Sequence, residues 1–226
     1  MKFETFRTAL PLLLTIIMSN ASFAAEIVPS AIPKAAGTDE QFCPAGWKIE
    51  SKLTADLQGV GAKDQIIELI TQKSSKNSNG ANTNYRALVV AFAKDGKLEL
   101  ADYATKFLLN TMQGGQLGAN VAISREKNGF SVDQSGGGGN DSWEYNLSFK
   151  FDKTKNQFVV TKAVVTKSTD RVSNNNTETS YDYERGLETV TVTVDDKEKK
   201  TTKKFAPKSI TLRELDAEKL PALFKG

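Results

Sequence analysis

The strongest constraint on the fold is an alternation of apolar and polar residues that recurs along the chain. It is clearest at residues 189–194, where three threonines alternate with three valines. Successive side chains of a strand point to opposite faces, so this pattern predicts a strand with one apolar face. Six further strands, most of them rich in β-branched or aromatic residues, are predicted at 64–71, 85–93, 130–133, 145–151, 158–166 and 178–183.

Short polar segments separate these strands. Asp95-Gly96 and Asn128-Gly129 supply the positive φ angles of tight hairpin turns. Further polar connections lie at 152–157, 174–176 and 195–200. Strands joined so closely must pair antiparallel, because a parallel pair needs a crossover of about a dozen residues or more. The sequence therefore predicts a mainly β fold, an antiparallel meander of hairpins with room for one or two short helices.

Two segments depart from the strand pattern. Apolar residues between 100 and 112 follow helical spacing, which fits an amphipathic helix packed on the sheet. A strand fits the same segment, and both interpretations stay open. Residues 212–224 are predicted to add a short helix that is interrupted at Pro221.

The amino-terminal segment has the pattern of an export signal. It has a basic start, an apolar run over about residues 9–18, and small residues at Ser22 and Ala24. This order is typical of a signal peptide, here covering residues 1–24 and cleaved after Ala24. The run is shorter than the roughly 20 apolar residues of a spanning helix. We therefore expect a periplasmic or secreted protein with no transmembrane anchor.

The remainder of the chain is predicted to hold one domain. Residues 25–42 contain two prolines, a glycine and no clear period, which indicates an extended leader. Residues 43–226 are long enough to bury one substantial core and are predicted to form a single β-rich domain. The single cysteine, Cys43, cannot form an internal disulfide. A small buried thiol and a disulfide between two chains are the two alternatives for it.

The chain contains no histidine, which removes several reaction classes. Ser-His-Asp and Cys-His nucleophiles need an imidazole, as do zinc sites with two or three histidines. One cysteine cannot supply a cysteine-rich metal site either. A glycosidase needs only two carboxylates, so a carboxylate-dependent hydrolase of envelope glycans stays open as an alternative. No pair of acidic residues stands out in the sequence, and we predict that the protein is not an enzyme.

One segment has the outline of a calcium loop. Asp56, Gln58 and Asp64 place side-chain oxygens near glycines that permit a sharp turn, as in loops that bind calcium. Val60 occupies a position where such a loop needs an oxygen ligand. A turn between two strands is the alternative for this segment. A calcium-stabilised module is accordingly a further function that the sequence allows.

Two low-complexity stretches are predicted to have structural roles rather than to form binding sites. The glycine run at 136–139 lacks the Lys and Ser/Thr of a phosphate loop and precedes a strand-like segment, so a flexible connection is predicted. Five lysines between 197 and 204 form a basic cluster, diluted by Asp195, Asp196 and Glu198. Because no aromatic residues are interleaved with them, we predict a solvated hairpin tip and no nucleic-acid partner.

Residues 44–47, 55–61 and 66–70 together resemble an FG-GAP/VCBS-type segment in degenerate form. Such segments run Asp-Leu-Asn-x-Asp-Gly-x-x-Asp before a hydrophobic strand. The later glycines and aromatic residues, up to about 151, look like the body of an uncharacterised family of exported bacterial proteins that carries one such segment. The resemblance implies an exported β-rich domain, strands rather than a helix near 100–112 and, in intact repeats, bound calcium. Asp56 and Asp64 match the expected ligands, while Gln58 and Val60 depart from them.

The hypothesis that these patterns favour is a non-catalytic periplasmic or secreted protein. It binds a partner or ligand, either a protein or an envelope glycan, through its sheet face or its loops. The export signal, the missing imidazole chemistry and the long polar hairpins support it. No cofactor is predicted beyond the calcium that the degenerate loop leaves open.

Overall fold

The computed structural model describes residues 27–76, 80–170 and 175–224. The predicted signal peptide, residues 1–24, lies outside these ranges. The described strands, in chain order, are β1 (Ala35–Ala36), β2 (Trp47–Ala55), β3 (Asp64–Thr71), β4 (Ser75–Lys76), β5 (Asn82–Thr83), β6 (Arg86–Lys94), β7 (Lys97–Ala104), β8 (Asn120–Glu126), β9 (Gly129–Gly138), β10 (Asp141–Asp152), β11 (Gln157–Asp170), β12 (Asn175–Asp182), β13 (Leu187–Val194) and β14 (Lys197–Lys204). Short 3-10 helices cover Pro29–Ala31, Asp39–Phe42, Gly115–Leu117 and Leu212–Glu214, and one α-helix, α1, covers Leu220–Leu223.

The strands form two large antiparallel sheets and one two-stranded ribbon, β4-β5. The first sheet has the order β1-β7-β6-β3-β2. The second sheet is a meander in which β8 to β14 pair in chain order. The prediction of a mainly β fold built from antiparallel hairpins is confirmed.

The main core lies between the two sheets. Alternate residues of β10 point into it, and Tyr145, Leu147 and Phe149 are buried there. The Phe130 ring of β9 stacks on that of Phe149 with centroids 5.0 Å apart. Burying each such side chain contributes roughly 1.5–3 kcal/mol. The alternation of apolar and polar residues seen in the sequence thus marks the strand face that packs into the core between the two sheets.

The first sheet is buried on its other face as well. Ile27, Ile32, Ala36 and Phe42 pack there against β3 and β6, and β1 pairs with β7. Part of the segment predicted as an extended leader, 25–42, is therefore built into the folded core. Its apolar residues show no strand or helix period because they enter the core from irregular segments, a two-residue strand and a 3-10 helix. The half-buried thiol of Cys43 lies beside this second core, and burial raises its pKa.

All seven predicted strands are present, but the sequence missed β2, β8 and β14 and the two-residue strands β1, β4 and β5. A strand in the region of β7 was one of the two interpretations left open. The segment 100–112 is strand as far as Ala104 and then bends and turns, so a helix there is wrong. The glycine run is not a flexible connection, because residues 136–138 belong to β9. The basic cluster is not a hairpin tip either, since the turn consists of Asp195 and Asp196 and the lysines form a strand.

A short helix is present near the carboxyl end, as predicted. Pro221 does not interrupt α1 but lies in its first turn, where a missing N–H costs nothing. None of the helices within the described ranges has the length and apolar character needed to cross a membrane.

A buried carboxylate joins the two sheets to the carboxyl-terminal segment. Asp102 of β7 is fully buried and accepts the N–H of Phe158 in β11 at 2.7 Å. Its other oxygen accepts hydrogen bonds from the backbone N–H of Tyr103 at 3.0 Å and from the Nε–H of Arg213 at 2.5 Å. The Arg213 guanidinium also lies 4.6 Å from the centre of the Tyr103 ring, in a cation–π contact. One side chain thus links both sheets and the segment that follows β14.

We expect Asp102→Asn to lower the free energy of unfolding by about 2–4 kcal/mol, because it removes a buried charge that accepts three hydrogen bonds. The measurement is urea unfolding followed by circular dichroism. Asp95→Asn is the matched control, since Asp95 is an exposed turn residue with φ 50°, and its change is expected to stay within about 0.5 kcal/mol. Equal effects of the two substitutions would contradict the role given to Asp102.

Candidate ligand-binding cleft

The residues predicted as calcium ligands hold the backbone in place. Asp64 is fully buried, and its two oxygens accept the N–H groups of Leu57 at 3.0 Å and Ala93 at 2.9 Å. Asp56 accepts the N–H groups of Val60 at 3.0 Å and Gly61 at 2.8 Å. These bonds, that of Gly61 above all, lower the pKa of Asp56.

The loop between β2 and β3 is therefore closed by its own amides. Gln58 is half-buried in the same loop. Within the described part of the chain, no group of three or more His, Cys, Asp or Glu side chains is placed to hold a metal ion. A turn between two strands, the alternative that the sequence offered, has this arrangement. Calcium binding by Asp56, Gln58 and Asp64 stays a prediction.

A cleft of about 660 Å³ opens at the end of the sandwich where β10 begins and β11 ends. Its volume lies within the roughly 300–1,000 Å³ of ligand sites. Three parts of the chain line it: the paired strands β10 and β11, the turns after β7, and the segment that leads into α1. The lining residues are Leu109, Gln113, Asp141, Ser142, Trp143, Tyr145, Lys167, Ser168, Thr169, Ala217, Glu218 and Pro221.

Two aromatic side chains on the inner face of β10 provide the apolar part of this cleft. Trp143 is half-buried and Tyr145 is buried, with ring centroids 5.2 Å apart. Burial raises the pKa of Tyr145 above its ordinary value, because desolvation disfavours the phenolate. Tyr145 is backed in turn by Phe224, at 6.2 Å between ring centres. The aromatic floor is thus anchored in the main core and exposes one indole to solvent.

The glycine run makes room for the indole. Gly136 pairs with Trp143 across β9 and β10. A Cβ at Gly136 would lie 2.7 Å from Cζ2 of Trp143 and 2.6 Å from the carbonyl oxygen of Gly114. Gly137 also donates its N–H to that oxygen at 2.8 Å. Glycines are needed here because the loop around Gly114 and the indole both approach the β9 backbone closely.

A buried glutamine holds the wall formed by the turns after β7. Gln134 of β9 is fully buried, donates Nε2–H to the carbonyl of Phe107 at 3.1 Å, and accepts the N–H of Leu109 at 2.6 Å. The opposite wall is tied to the same turns, because Ala217 donates its N–H to the carbonyl of Lys106 at 2.8 Å. Both walls are therefore fixed by hydrogen bonds to their backbone, from the Gln134 side chain and from Lys106, rather than by side-chain packing alone.

The rim of the cleft carries charged groups of both signs and neutral hydrogen-bonding groups. Lys167, directly across from Trp143 in the sheet register, is exposed. Asp141 and Glu218 are the carboxylates of the lining, and both are exposed. Hydroxyl and amide groups of Ser142, Ser168, Thr169 and Gln113 complete the rim. One cation, two carboxylates and several neutral groups suit a polar ligand without a large charge of one sign.

None of these residues was proposed as a site from the sequence. The missed signal is the pairing of a glycine run with a tryptophan a few residues further along, which predicts a close approach of backbone and ring. Lys167 and Gln134 carry no local signal, since only the strand register and the tertiary fold bring them to the cleft.

We expect Gly136→Ala to displace the indole of Trp143 and lower the free energy of unfolding by about 1–3 kcal/mol, because the added methyl overpacks the contact. The emission maximum of Trp143 and urea unfolding measure the two effects. Gly37→Ala is the control, since its Cβ meets nothing closer than 3.4 Å and its φ is not positive. An unchanged emission maximum in Gly136→Ala would contradict this account.

Comparison with protein families, with characterised proteins and with solved structures finds no match to this chain. The resemblance to an FG-GAP/VCBS-type segment therefore stays a prediction from residues 44–70, and the geometry of the cleft is the basis for a proposal about function.

Proposed function

We propose that the protein is an exported, non-catalytic binding protein whose cleft at Trp143 takes a neutral, hydroxyl-rich ligand, such as a segment of an envelope glycan. The observation that carries the proposal is a solvent-accessible indole set beside a rim of mixed hydrogen-bonding groups. A sugar ring offers the complementary pattern, with an apolar C–H face and hydroxyl groups around its edge.

The charges of the cleft support a neutral ligand over an ionic one. Lys167 is opposed by Asp141 and Glu218, so the lining offers no concentrated charge for an anion or a cation. A hydroxyl group both donates and accepts, and the rim supplies partners of both kinds. A ligand of this type can satisfy the polar groups that it covers, which limits the cost of their desolvation.

The non-catalytic part of the proposal rests on the surroundings of the carboxylates. A glycosidase needs one carboxyl group held protonated by an apolar setting, opposite a second that stays ionised. Asp141 and Glu218 are both exposed to solvent. Their presence in one cleft nevertheless makes a hydrolase of envelope glycans the second candidate, and the binding experiment also tests it.

Titration with a neutral N-acetylhexosamine trisaccharide is expected to change the fluorescence of Trp143, because the sugar would replace water at the indole. The other tryptophan, Trp47, is buried in the second core and gives a constant background. Trp143→Ala is expected to weaken binding at least ten-fold, or about 1.4 kcal/mol. Because this variant lacks the reporting indole, isothermal titration calorimetry measures binding by the wild type and by every variant. Trp47→Phe, which changes the other tryptophan and leaves the cleft intact, is the control and should bind as wild type.

Lack of any binding by the folded protein would overturn the glycan proposal. Release of reducing ends by the wild type, abolished in both Asp141→Asn and Glu218→Gln, would establish the hydrolase instead. Thermal unfolding of every variant shows whether a loss of binding follows from loss of the fold.

Export predicts a defined mature amino terminus. Protein recovered from the periplasmic fraction or the medium is expected to begin at Ala25, since Ser22 and Ala24 fit the small pockets of a signal peptidase. Amino-terminal sequencing measures this. Ala24→Leu is expected to leave the precursor uncleaved, whereas Thr5→Val, outside the cleavage site, should not. Intact Met1 on cytosolic protein would contradict export.

A further inference from the structure

The last strand of the meander leaves one edge of the large sheet open. β14 is terminal in the order β14 to β8, and it pairs only with β13 among the described strands. All eight of its residues are exposed. A strand in this position presents unpaired N–H and C=O groups along its outer side. The backbone of β14 is thus available to an additional strand.

This edge carries a concentrated positive charge. β14 contains five lysines and Glu198, a net charge of +4. Lys197, Lys199 and Lys203 share one face, and Lys200 and Lys204 share the other, because strand residues alternate. Lys203 pairs with Glu188 of β13 at 3.1 Å. Within the described ranges the other four lysines form no ion pair.

Apolar side chains lie beside the lysines on one face. Val192 and Val194 of β13 are directly across from Lys199 and Lys197 in the register, and they are 37% and 48% exposed. Neither valine belongs to the main core, and the last residue of the meander strands among its buried members is Tyr181 of β12. The edge therefore combines a free backbone, alternating cations and a small apolar surface.

We propose that an extended acidic segment of a partner protein adds to β14 as an eighth strand of this sheet. Its backbone would pair with the open edge, and carboxylates on both faces of the added strand would lie opposite the lysines. This occupant fits better than a membrane, which reaches only one face of a strand. It also fits better than a nucleic acid, because residues 187–204 contain no aromatic side chain on which a base could stack.

The lysines also explain why the edge selects its partner. A second copy of β14 would bring like charges opposite one another, which opposes pairing between identical chains. An acidic strand meets attraction at the same positions. The same side chains thus disfavour self-association and favour a partner of opposite charge. The proposal is independent of the Trp143 cleft.

The experiment measures binding of a labelled peptide, Thr-Glu-Glu-Val-Val-Glu-Glu-Thr, to the whole protein by fluorescence anisotropy. Its glutamates fall on both faces of a strand, because successive side chains alternate. We expect saturable binding that weakens in high salt and slows amide hydrogen exchange within 197–204. The variant Lys197→Glu/Lys199→Glu/Lys200→Glu should lose affinity at least ten-fold, and the same three positions changed to Gln should lose less. The matched control reverses three exposed turn lysines, Lys127, Lys153 and Lys155, and should bind as wild type.

A peptide of the same charge with both valines replaced by proline separates strand addition from simple attraction. Proline cannot donate to the sheet, so this peptide should bind at least ten-fold more weakly. Equal binding of the two peptides, equal loss in the control variant, or no binding at all would each overturn the proposal. Binding to anionic phospholipid vesicles, lost in the 197/199/200 variant while the peptide fails to bind, would assign the edge to a membrane surface instead.

Discussion

A single buried charge sets the arrangement of the two sheets. Asp102 lies where β7 faces β11, and it is satisfied only when Phe158 and Arg213 are both in place. A carboxylate without these partners would be costly to bury. The apolar core between the sheets supplies most of the favourable free energy but has little directional preference. The hydrogen bonds of Asp102 specify the relative position of the two sheets, because they require the carboxyl-terminal segment to lie in one place across both sheets.

The proposed ligand site depends on that placement. The segment that carries Arg213 continues to Ala217 and Pro221, which form one wall of the cleft. Gln134 fixes the opposing turns from within β9. The aromatic floor belongs to β10, in the middle of the meander. A cleft assembled from three distant parts of the chain and held by buried polar groups is largely formed before any ligand arrives, which reduces the ordering cost of binding.

The sequence predicted the strands with strong alternation but not the site. β13 and β10 were found because their apolar residues recur with period two, whereas β14 was missed because all of its residues face water and carry no apolar signal. Asp56 and Asp64 flank the glycine-containing turn that the sequence offered as the alternative to a calcium loop. The sequence could not show that backbone amides satisfy both carboxylates. The cleft lay beyond sequence reasoning, since the register that puts Lys167 across from Trp143 is a property of the assembled sheet.

The connectivity of the two sheets has a kinetic consequence. Each strand of the meander pairs with its neighbour in the chain, so this sheet can grow by local hairpins, which form in roughly microseconds. The contact between Asp102 and Arg213 spans 111 residues, and Ala35 finds Glu99 only after β7 exists. Closure of such long loops is entropically slow. Because β2, β3, β6 and β7 also pair in chain order, both sheets are expected to form their hairpins before they dock on each other. The amino-terminal segment is expected to cover the outer face of the five-stranded sheet late.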